Sequence, residues 1–177
     1  MNTRSVSAPA AAALLPDDWE SLFQTWLPRV YNYFRYRIGD DALAQDLTAT
    51  TFIKAWRARA DYSPDIAAVS TWLFAIARHV AVDHFREQRP VLPLDALHPL
   101  AGGDAVEYII EQQEEVERLN ALLAALPARD REIIALKYGA EMTNRAIAAL
   151  LGLSESNVGT ILHRTVHSLR SKWDPAT

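Results

Sequence analysis

The chain has 177 residues, enough for one medium domain or two small ones, and 50% are apolar and 23% charged, as in an ordinary folded protein. It contains no cysteine, which excludes disulfides, thiolate metal sites and a thiol nucleophile. Alanine and leucine are abundant and glycine is limited to six residues, so the composition predicts an all-α protein. No apolar run reaches the length of about 18 residues that a membrane-spanning helix needs, so we expect no membrane insertion.

The net charge of −4 is unevenly distributed along the chain. Residues 17–90 hold nine Lys/Arg and ten Asp/Glu, and residues 118–177 hold eight and five. Between them, residues 91–117 hold seven acidic side chains and no basic one, and prolines and a Gly-Gly pair interrupt the first half. We therefore predict two small helical domains joined by an acidic linker, divided into a disordered tail at 1–16, a first module at 17–90, the linker at 91–117 and a second module at 118–173.

The first module has the pattern of consecutive helices. Apolar residues recur every three or four positions from Trp19 to Phe34, which predicts a helix. The residues Gly39-Asp40-Asp41 are typical of a helix end followed by a cap, and they predict a second helix reaching about Arg59. After a loop at 61–65, a third helix is predicted from about residue 70 to residue 88.

The predicted third helix carries a mixed polar and aromatic face opposite its apolar stripe. Trp72, His79, Asp83 and Arg86 lie on this face, with Arg78 at its edge. Flat rings interleaved with cations are what single-stranded nucleic acid binds, although a place for Trp72 in the core stays open at this point. His79 and Asp83 are four residues apart, but the sequence offers no third ligand, so we predict no metal site.

The second module ends in the pattern of a helix-turn-helix. Thr143 is placed to cap a short helix that ends at Gly152, and Ser154 is placed to cap a final helix. The final helix would bury Val158, Ile161, Leu162 and Leu169 and would expose Ser156, Asn157, Thr160, His163 and Arg164. Small polar side chains followed by bases suit a helix that enters the major groove by its N-terminal end. The plainer alternative is an amphipathic helix with a cationic last turn.

Several segments together resemble a known family. They are residues 44–57 (AQDLTATTFIKAWR), 71–78 (TWLFAIAR), 83–86 (DHFR), 126–132 (LPARDRE) and the helix-turn-helix as far as Arg164. In order and spacing they resemble the small two-domain extracytoplasmic-function (ECF) sigma factors of the bacterial sigma-70 family. The resemblance implies a dissociable, non-enzymatic and cytoplasmic subunit of RNA polymerase that needs no cofactor and directs promoter recognition, DNA melting and transcription initiation.

The resemblance also implies partners and contact residues. Core RNA polymerase would bind through the β′ clamp helices and the β flap, and an anti-sigma factor is a further expected partner. The clamp helices would meet Asp46, Leu47, Thr50, Lys54 and Arg57. The minus-10 promoter element would meet Asp61, Tyr62, Trp72, Arg78, His79, Asp83 and Arg86. The minus-35 element would meet Ser156, Asn157, Thr160, His163 and Arg164.

Other functions remain as alternatives. Residues 142–148 also resemble the output domain of a response-regulator-type helix-turn-helix transcription factor, although the first module lacks the alternating strands of a receiver. An enzyme is disfavoured because the chain has no cysteine, five scattered histidines and no Gly-rich phosphate loop. A helical protein-interaction module would be indicated if the Asn157 edge were buried. The two-module hypothesis expects separately folded bundles with a cleft between them.

Overall fold

The computed structural model describes residues 18–87 and 106–173, and the side chains of the second range from residue 114 onward. The predicted tail at 1–16 and most of the predicted linker lie outside these residues. Within the described ranges the chain is helical and contains no strand, which confirms the all-α prediction. The helices are α1 (Trp19–Ile38), α2 (Asp41–Ala58), α3 (Val69–Glu87), α4 (Val106–Ala124), α5 (Ala128–Ile134), α6 (Asn144–Leu151) and α7 (Glu155–Trp173).

Helices α1 to α3 form the first module around an aromatic core. The α1 helix ends at Gly39, whose φ of +87° is left-handed and whose N–H donates to the Arg35 carbonyl. Asp40 then caps α2 by accepting from the Leu43 N–H at 2.7 Å, as the sequence predicted. Tyr33 packs edge-on against Phe34 and Phe74 inside this module.

Helices α4 to α7 form the second module and include the predicted helix-turn-helix. Thr143 caps α6 by accepting from the Ala146 N–H at 3.2 Å. Gly152 supplies the left-handed turn, with φ of +67°, and Ser154 accepts from the Asn157 N–H at 3.1 Å at the start of α7. The inward side chains of α7 include Val158, Ile161 and Leu162, as predicted.

The end of α5 differs from a plain α-helix. It continues into a wider π-helical turn, Ala135–Gly139, in which the Ala140 N–H donates to the Ala135 carbonyl at 2.9 Å. The wider turn sets Gly139 against α1.

The two modules dock against each other, whereas the sequence analysis expected separately folded bundles. Their buried apolar side chains form one continuous cluster, and Gly139 is buried against α1. A cleft of about 410 Å³ remains between them, lined by Arg37 and Phe85 on one side and by Leu126 and Arg131 on the other. Hydrophobic periodicity identifies the buried stripe of each helix but not the element that covers it, so the docking was not predicted.

Among the described helices, none combines the length and the apolar character that a bilayer crossing requires.

Candidate functional site

The outer face of α7 is the most clearly formed candidate surface. Ser156, Asn157, Thr160 and His163 are all exposed, and they lie opposite the buried stripe that contains Val158. The Thr160 hydroxyl donates to the Ser156 carbonyl at 3.0 Å, which holds that side chain against its own helix. The Asn157 edge is therefore on the surface of the second module.

Arg164 follows on the same face and is tied to α5. Its Nη2 lies 2.9 Å from Oδ2 of Asp130, and the Thr165 hydroxyl donates to the same carboxylate oxygen at 3.4 Å. A guanidinium has five N–H donors, so Arg164 can keep this ion pair and still donate to a phosphate. This ion pair fixes the position of the Arg164 guanidinium on α7 relative to α5. The sequence alone did not reveal the pair.

A second candidate surface joins the start of α3 to the turn after α2. Tyr62 and Trp72 are both half-buried, and their rings lie 4.9 Å apart, centroid to centroid, with a tilt of 43°. Burial raises the pKa of the Tyr62 phenol above its ordinary value. Asp61 is exposed next to this pair. The pair presents flat apolar surface of the kind on which an unpaired base stacks.

His79 lies on the next turns of α3 and is exposed. Its Nδ1 is 2.7 Å from the Ala75 carbonyl oxygen, a contact in which Nδ1 must carry the proton. His79 thus adds a planar polar group beyond Trp72.

Asp83 connects residues that the sequence analysis assigned to different partners. Its two carboxylate oxygens lie 3.3 Å from Lys54 Nζ on α2 and 3.3 Å from Arg86 Nη2 on α3. All three side chains are substantially exposed, so each pair contributes at most about 1 kcal/mol. The carboxylate is therefore balanced by two cations, and it links the predicted polymerase face to the predicted DNA face.

Arg78 is not displayed with the other predicted DNA contacts. Its Nε donates to Oε1 of Glu132 at 2.8 Å and its Nη1 to the Leu150 carbonyl at 3.4 Å, both in the second module. In this arrangement Arg78 is bound by the second module and its side chain is 31% exposed, and its contact with DNA stays a prediction.

Of the residues that the sequence analysis assigned to the polymerase face of α2, some are exposed and one is buried. Asp46, Lys54 and Arg57 are exposed and Thr50 is half-buried, on adjoining positions of the helix. Leu47 is only 8% exposed, because it faces the core between α1 and α3. Leu47 therefore positions α2 and does not offer a contact surface, which corrects the sequence-based prediction.

An apolar groove next to this face was missed by the sequence analysis. It has a volume of about 750 Å³ and runs between α1 and α2. Ile53 is 53% exposed and Trp56 44% exposed at its edge. The available signal in the sequence was two large apolar residues, Ile53 and Trp56, placed three positions apart on α2. The groove is lined by Trp19, Phe23, Leu27, Pro28, Tyr31, Gln45, Thr48, Ala49, Phe52, Ile53 and Trp56.

In the portion of the chain that the structure describes, no three His, Asp or Glu side chains are grouped as metal ligands.

Comparisons with known proteins agree with these two modules. Residues 22–91 match the family Sigma-70 region 2, and residues 117–169 match the family Sigma-70, region 4. The first range contains the stacked pair of Tyr62 and Trp72, and the second contains the helix-turn-helix.

Curated relatives extend over most of the chain. It is 30% identical over 144 residues to the ECF RNA polymerase sigma factor RpoE of Cereibacter sphaeroides, covering 81% of this chain and 77% of the relative. It is 27% identical over 156 residues to SigM of Bacillus subtilis, covering 88% and 94%. The match to BldN of Streptomyces coelicolor, at 26% identity over 157 residues, covers 86% of this chain but only 59% of the length of that relative.

Solved structures share the fold. The sigma factor RpoE of Bartonella quintana, in complex with the anti-sigma factor NepR, has a TM-score of 0.67 at 19% identity and covers 91% of this chain and 99% of that one. CnrH, in complex with the cytosolic domain of CnrY, has a TM-score of 0.63 at 23% identity and covers 92% and 89%. With region 2 in α1 to α3, region 4 in α4 to α7 and a relative at 30% identity, the chain belongs to the ECF RNA polymerase sigma factors of the sigma-70 family.

Proposed function

We propose that this sigma factor directs core RNA polymerase to promoters by holding two parts of the DNA with its two modules. The α7 face of Ser156, Asn157 and Thr160 reads the minus-35 element in the major groove. The surface of Tyr62, Trp72 and His79 holds the separated strand of the minus-10 element. The observation that carries the proposal is that an exposed polar recognition face and an aromatic stacking pair occur in one chain, in different modules.

The chemistry of each surface fits its DNA target. Small polar side chains at the N-terminal end of a helix reach base edges in the major groove, where a good pair of hydrogen bonds contributes about 1–3 kcal/mol of discrimination. Stacking on an aromatic face contributes about 1–3 kcal/mol per base and does not require a particular base. A surface of this second kind favours the open strand, because paired bases do not expose their faces.

Charge explains why polymerase is needed. The net charge of −4 gives the free chain little attraction for DNA phosphates. Attachment to core polymerase raises the effective concentration of both surfaces at a promoter without any additional contact. We propose that α2 makes this attachment to the β′ clamp helices through Asp46, Thr50, Lys54 and Arg57, and that the second module binds the β flap.

The same hypothesis includes regulation and location. An anti-sigma factor is a fitting regulator, since the structural relative RpoE was solved with NepR bound. The protein acts by binding and not by catalysis, and it works in the cytoplasm, where its polymerase is. The response-regulator alternative is not favoured, because region 2 accounts for the first module.

The test is reconstitution with core polymerase. We expect the purified chain to co-elute with the core enzyme and to start run-off transcripts on a subset of genomic fragments. Asp46→Lys should weaken the complex, because it reverses the charge on the proposed docking face. Glu20→Lys is the matched control, since it reverses an exposed charge on α1 outside that face. Failure to form any complex at micromolar concentrations contradicts the proposal.

A further inference from the structure

The recognition face of α7 contains a gap at Gly159. This glycine is half-buried, whereas its neighbours on the outer face, Ser156 and Thr160, are exposed. We propose that the gap is a reading position, through which Asn144 of α6 donates a hydrogen bond to one base of the minus-35 element. The inference rests on the proposed function of α7 and deepens it, because it adds a specificity-determining residue that lies outside the recognition helix.

Neither the backbone nor the packing requires a glycine at position 159. Its φ is not positive, unlike that of Gly39 or Gly152. A Cβ at Gly159 would lie 3.8 Å from Asn144 Nδ2, which is an ordinary van der Waals distance, and no second atom of another element comes within 4 Å. An alanine side chain would therefore fit at this position without any shift of its surroundings.

Glycine is also unfavourable for α7 itself, because it loses more backbone freedom in a helix than any other residue does. The contrast with Gly139 is informative. A Cβ at Gly139 would lie 2.7 Å from the Asn32 carbonyl oxygen, so the missing side chain there admits a neighbouring backbone. At Gly159 the protein's own described atoms leave the space open, so the space is available to a molecule that approaches α7 from outside.

Asn144 lies at the bottom of this gap. It is the first residue of α6, directly after the Thr143 cap, and it is half-buried. Its Oδ1 is buried without a hydrogen-bond partner among the described residues. With the oxygen turned inward, the N–H donors of Nδ2 lie on the side of Gly159. An unpartnered buried oxygen costs free energy, and a purely structural role does not explain why an amide is kept there.

The width of the major groove gives this gap its consequence. The groove is about 12 Å wide, and an α-helix with its side chains has a diameter of about 10–12 Å. A recognition helix therefore fits with little clearance, and one missing side chain lets the adjacent base edge come closer to the helix backbone. The same approach brings that base edge within reach of the Asn144 amide.

The donor character of the amide determines which base it accepts. In the major groove, guanine presents N7 and O6, adenine presents N7 and thymine presents O4, and all of these atoms accept hydrogen bonds. Cytosine presents the N4 amino group, which is a donor. We expect cytosine to be disfavoured at the base that faces Gly159 by about three- to tenfold, the range that corresponds to a single hydrogen bond.

The test is the selection of minus-35 sequences by the holoenzyme. The full chain, assembled with core polymerase, is presented with promoters in which every base of the minus-35 element is randomised, and the bound sequences are counted. We expect one position at which the parent protein depletes cytosine. Asn144→Asp replaces the donor by an acceptor, so it should enrich cytosine at that same position.

Gly159→Ala fills the gap and leaves the amide in place. It should remove the preference at the same position, because the added methyl group keeps the base edge away from Nδ2. Its melting temperature should rise by about 2–4 °C, since alanine is the better helix former. A variant that is more stable and less selective separates a role in reading DNA from a role in folding.

Ala149→Asp is the matched control for charge, because it adds a carboxylate to an exposed position of the same helix. It should keep the base preference of the parent at every position. Asn144→Asp should retain its fold, since an acidic side chain in the first turn of a helix is favourable. Circular dichroism checks the helix content of each variant.

Unchanged base preferences in both Asn144→Asp and Gly159→Ala overturn the inference. A melting temperature that falls in Gly159→Ala also overturns it, because the glycine would then be needed for packing. If the parent holoenzyme selects no minus-35 sequence at all, the proposed function fails, and the inference fails with it. A parent that selects a minus-35 sequence, together with variants that do not alter the selection, contradicts only the inference.

Discussion

Arg78 in α3 and Glu132 in α5 form an ion pair across the boundary between the two modules, with Nε 2.8 Å from Oε1. The side chains are 31% and 14% exposed, so the pair is partly shielded from water. Arg78 belongs to the predicted minus-10 surface, and in this pair its cation contacts region 4 and joins it to region 2. The residue that the sequence analysis assigned to DNA is thus part of the contact between the two modules.

The first prediction concerns the strength of this pair. In a double-mutant cycle of Arg78→Ala and Glu132→Ala, we expect a coupling energy of about 1–2 kcal/mol. Hydrogen bonds to charged groups that are shielded from water contribute more to stability than a typical hydrogen bond does. Urea unfolding of the four proteins measures it. Arg29 and Glu141 provide the comparison, since side-chain exposures of 37% and 62% limit that pair to about 0.5 kcal/mol. Equal couplings in the two cycles would show that shielding has no effect here.

The second prediction concerns the buried hydroxyl of Tyr33. Tyr33→Phe keeps the ring against Phe34 and Phe74 and removes an oxygen that has no partner among the described residues. We expect the free energy of unfolding to rise by about 1 kcal/mol. Tyr31→Phe is the control and should lower it, because the Tyr31 hydroxyl donates to Asp41 Oδ1 at 3.0 Å. A loss of stability in Tyr33→Phe would contradict this reading.

The same residue makes stability depend on alkaline pH. Burial is the main cause that raises the pKa of Tyr33 above its ordinary value of 10.0. A raised pKa in the folded state means that the full stability is present below the unfolded value and declines as pH rises above it. Between pH 10 and pH 11, the parent protein should therefore lose more stability than Tyr33→Phe. Parallel urea titrations of the two proteins measure the difference in slope.

The recognition helix should separate specificity from general affinity. Asn157→Ala should change which promoters are used, because the side chain is exposed at the N-terminal end of α7. Arg164→Ala should weaken all promoters to a similar extent. It should also lower the melting temperature, because Asp130 loses its ion-pair partner. Promoter profiling tests the two effects on promoter use, and thermal unfolding tests the change in melting temperature. A uniform loss of promoter use in Asn157→Ala would contradict the minus-35 assignment.

Trp72 should matter more for opening DNA than for first binding it. We expect Trp72→Ala to slow promoter opening by roughly tenfold, in line with the loss of one stacking contact. Initial binding, measured by gel shift, should change little. The rate of opening is measured by the permanganate reactivity of the melted bases. Trp72→Phe should restore most of the rate, since it keeps a flat ring near Tyr62. Equal effects of Trp72→Ala on both steps would return Trp72 to a purely structural role.

The local elements were predictable because their signals lie in neighbouring residues. Gly39-Asp40-Asp41 predicted the break between α1 and α2, and Thr143 with Gly152 predicted both ends of α6. The exposed edge at Asn157 followed from helical periodicity. Leu47 was assigned to a contact surface through the family resemblance, although its own apolar character already indicated burial.

Residues that meet across the modules were not predictable, because their positions are far apart in the chain. Arg78 and Glu132 are separated by 54 residues, and nothing in either segment indicates the other. Nothing in the sequence around Gly139 indicates that the backbone of α1 packs against it.

By itself, the sequence determined an all-α protein with two modules and the outward residues of its recognition helix, because helix caps and apolar spacing act over three or four residues. Only the tertiary structure decided that the modules are docked, that Arg78 is paired with Glu132 of the second module and that Tyr33 is fully enclosed. Docking depends on the complementary shape and charge of surfaces that are remote in sequence. Hydrophobic patterning indicates which face of a helix is buried but not which other element covers it.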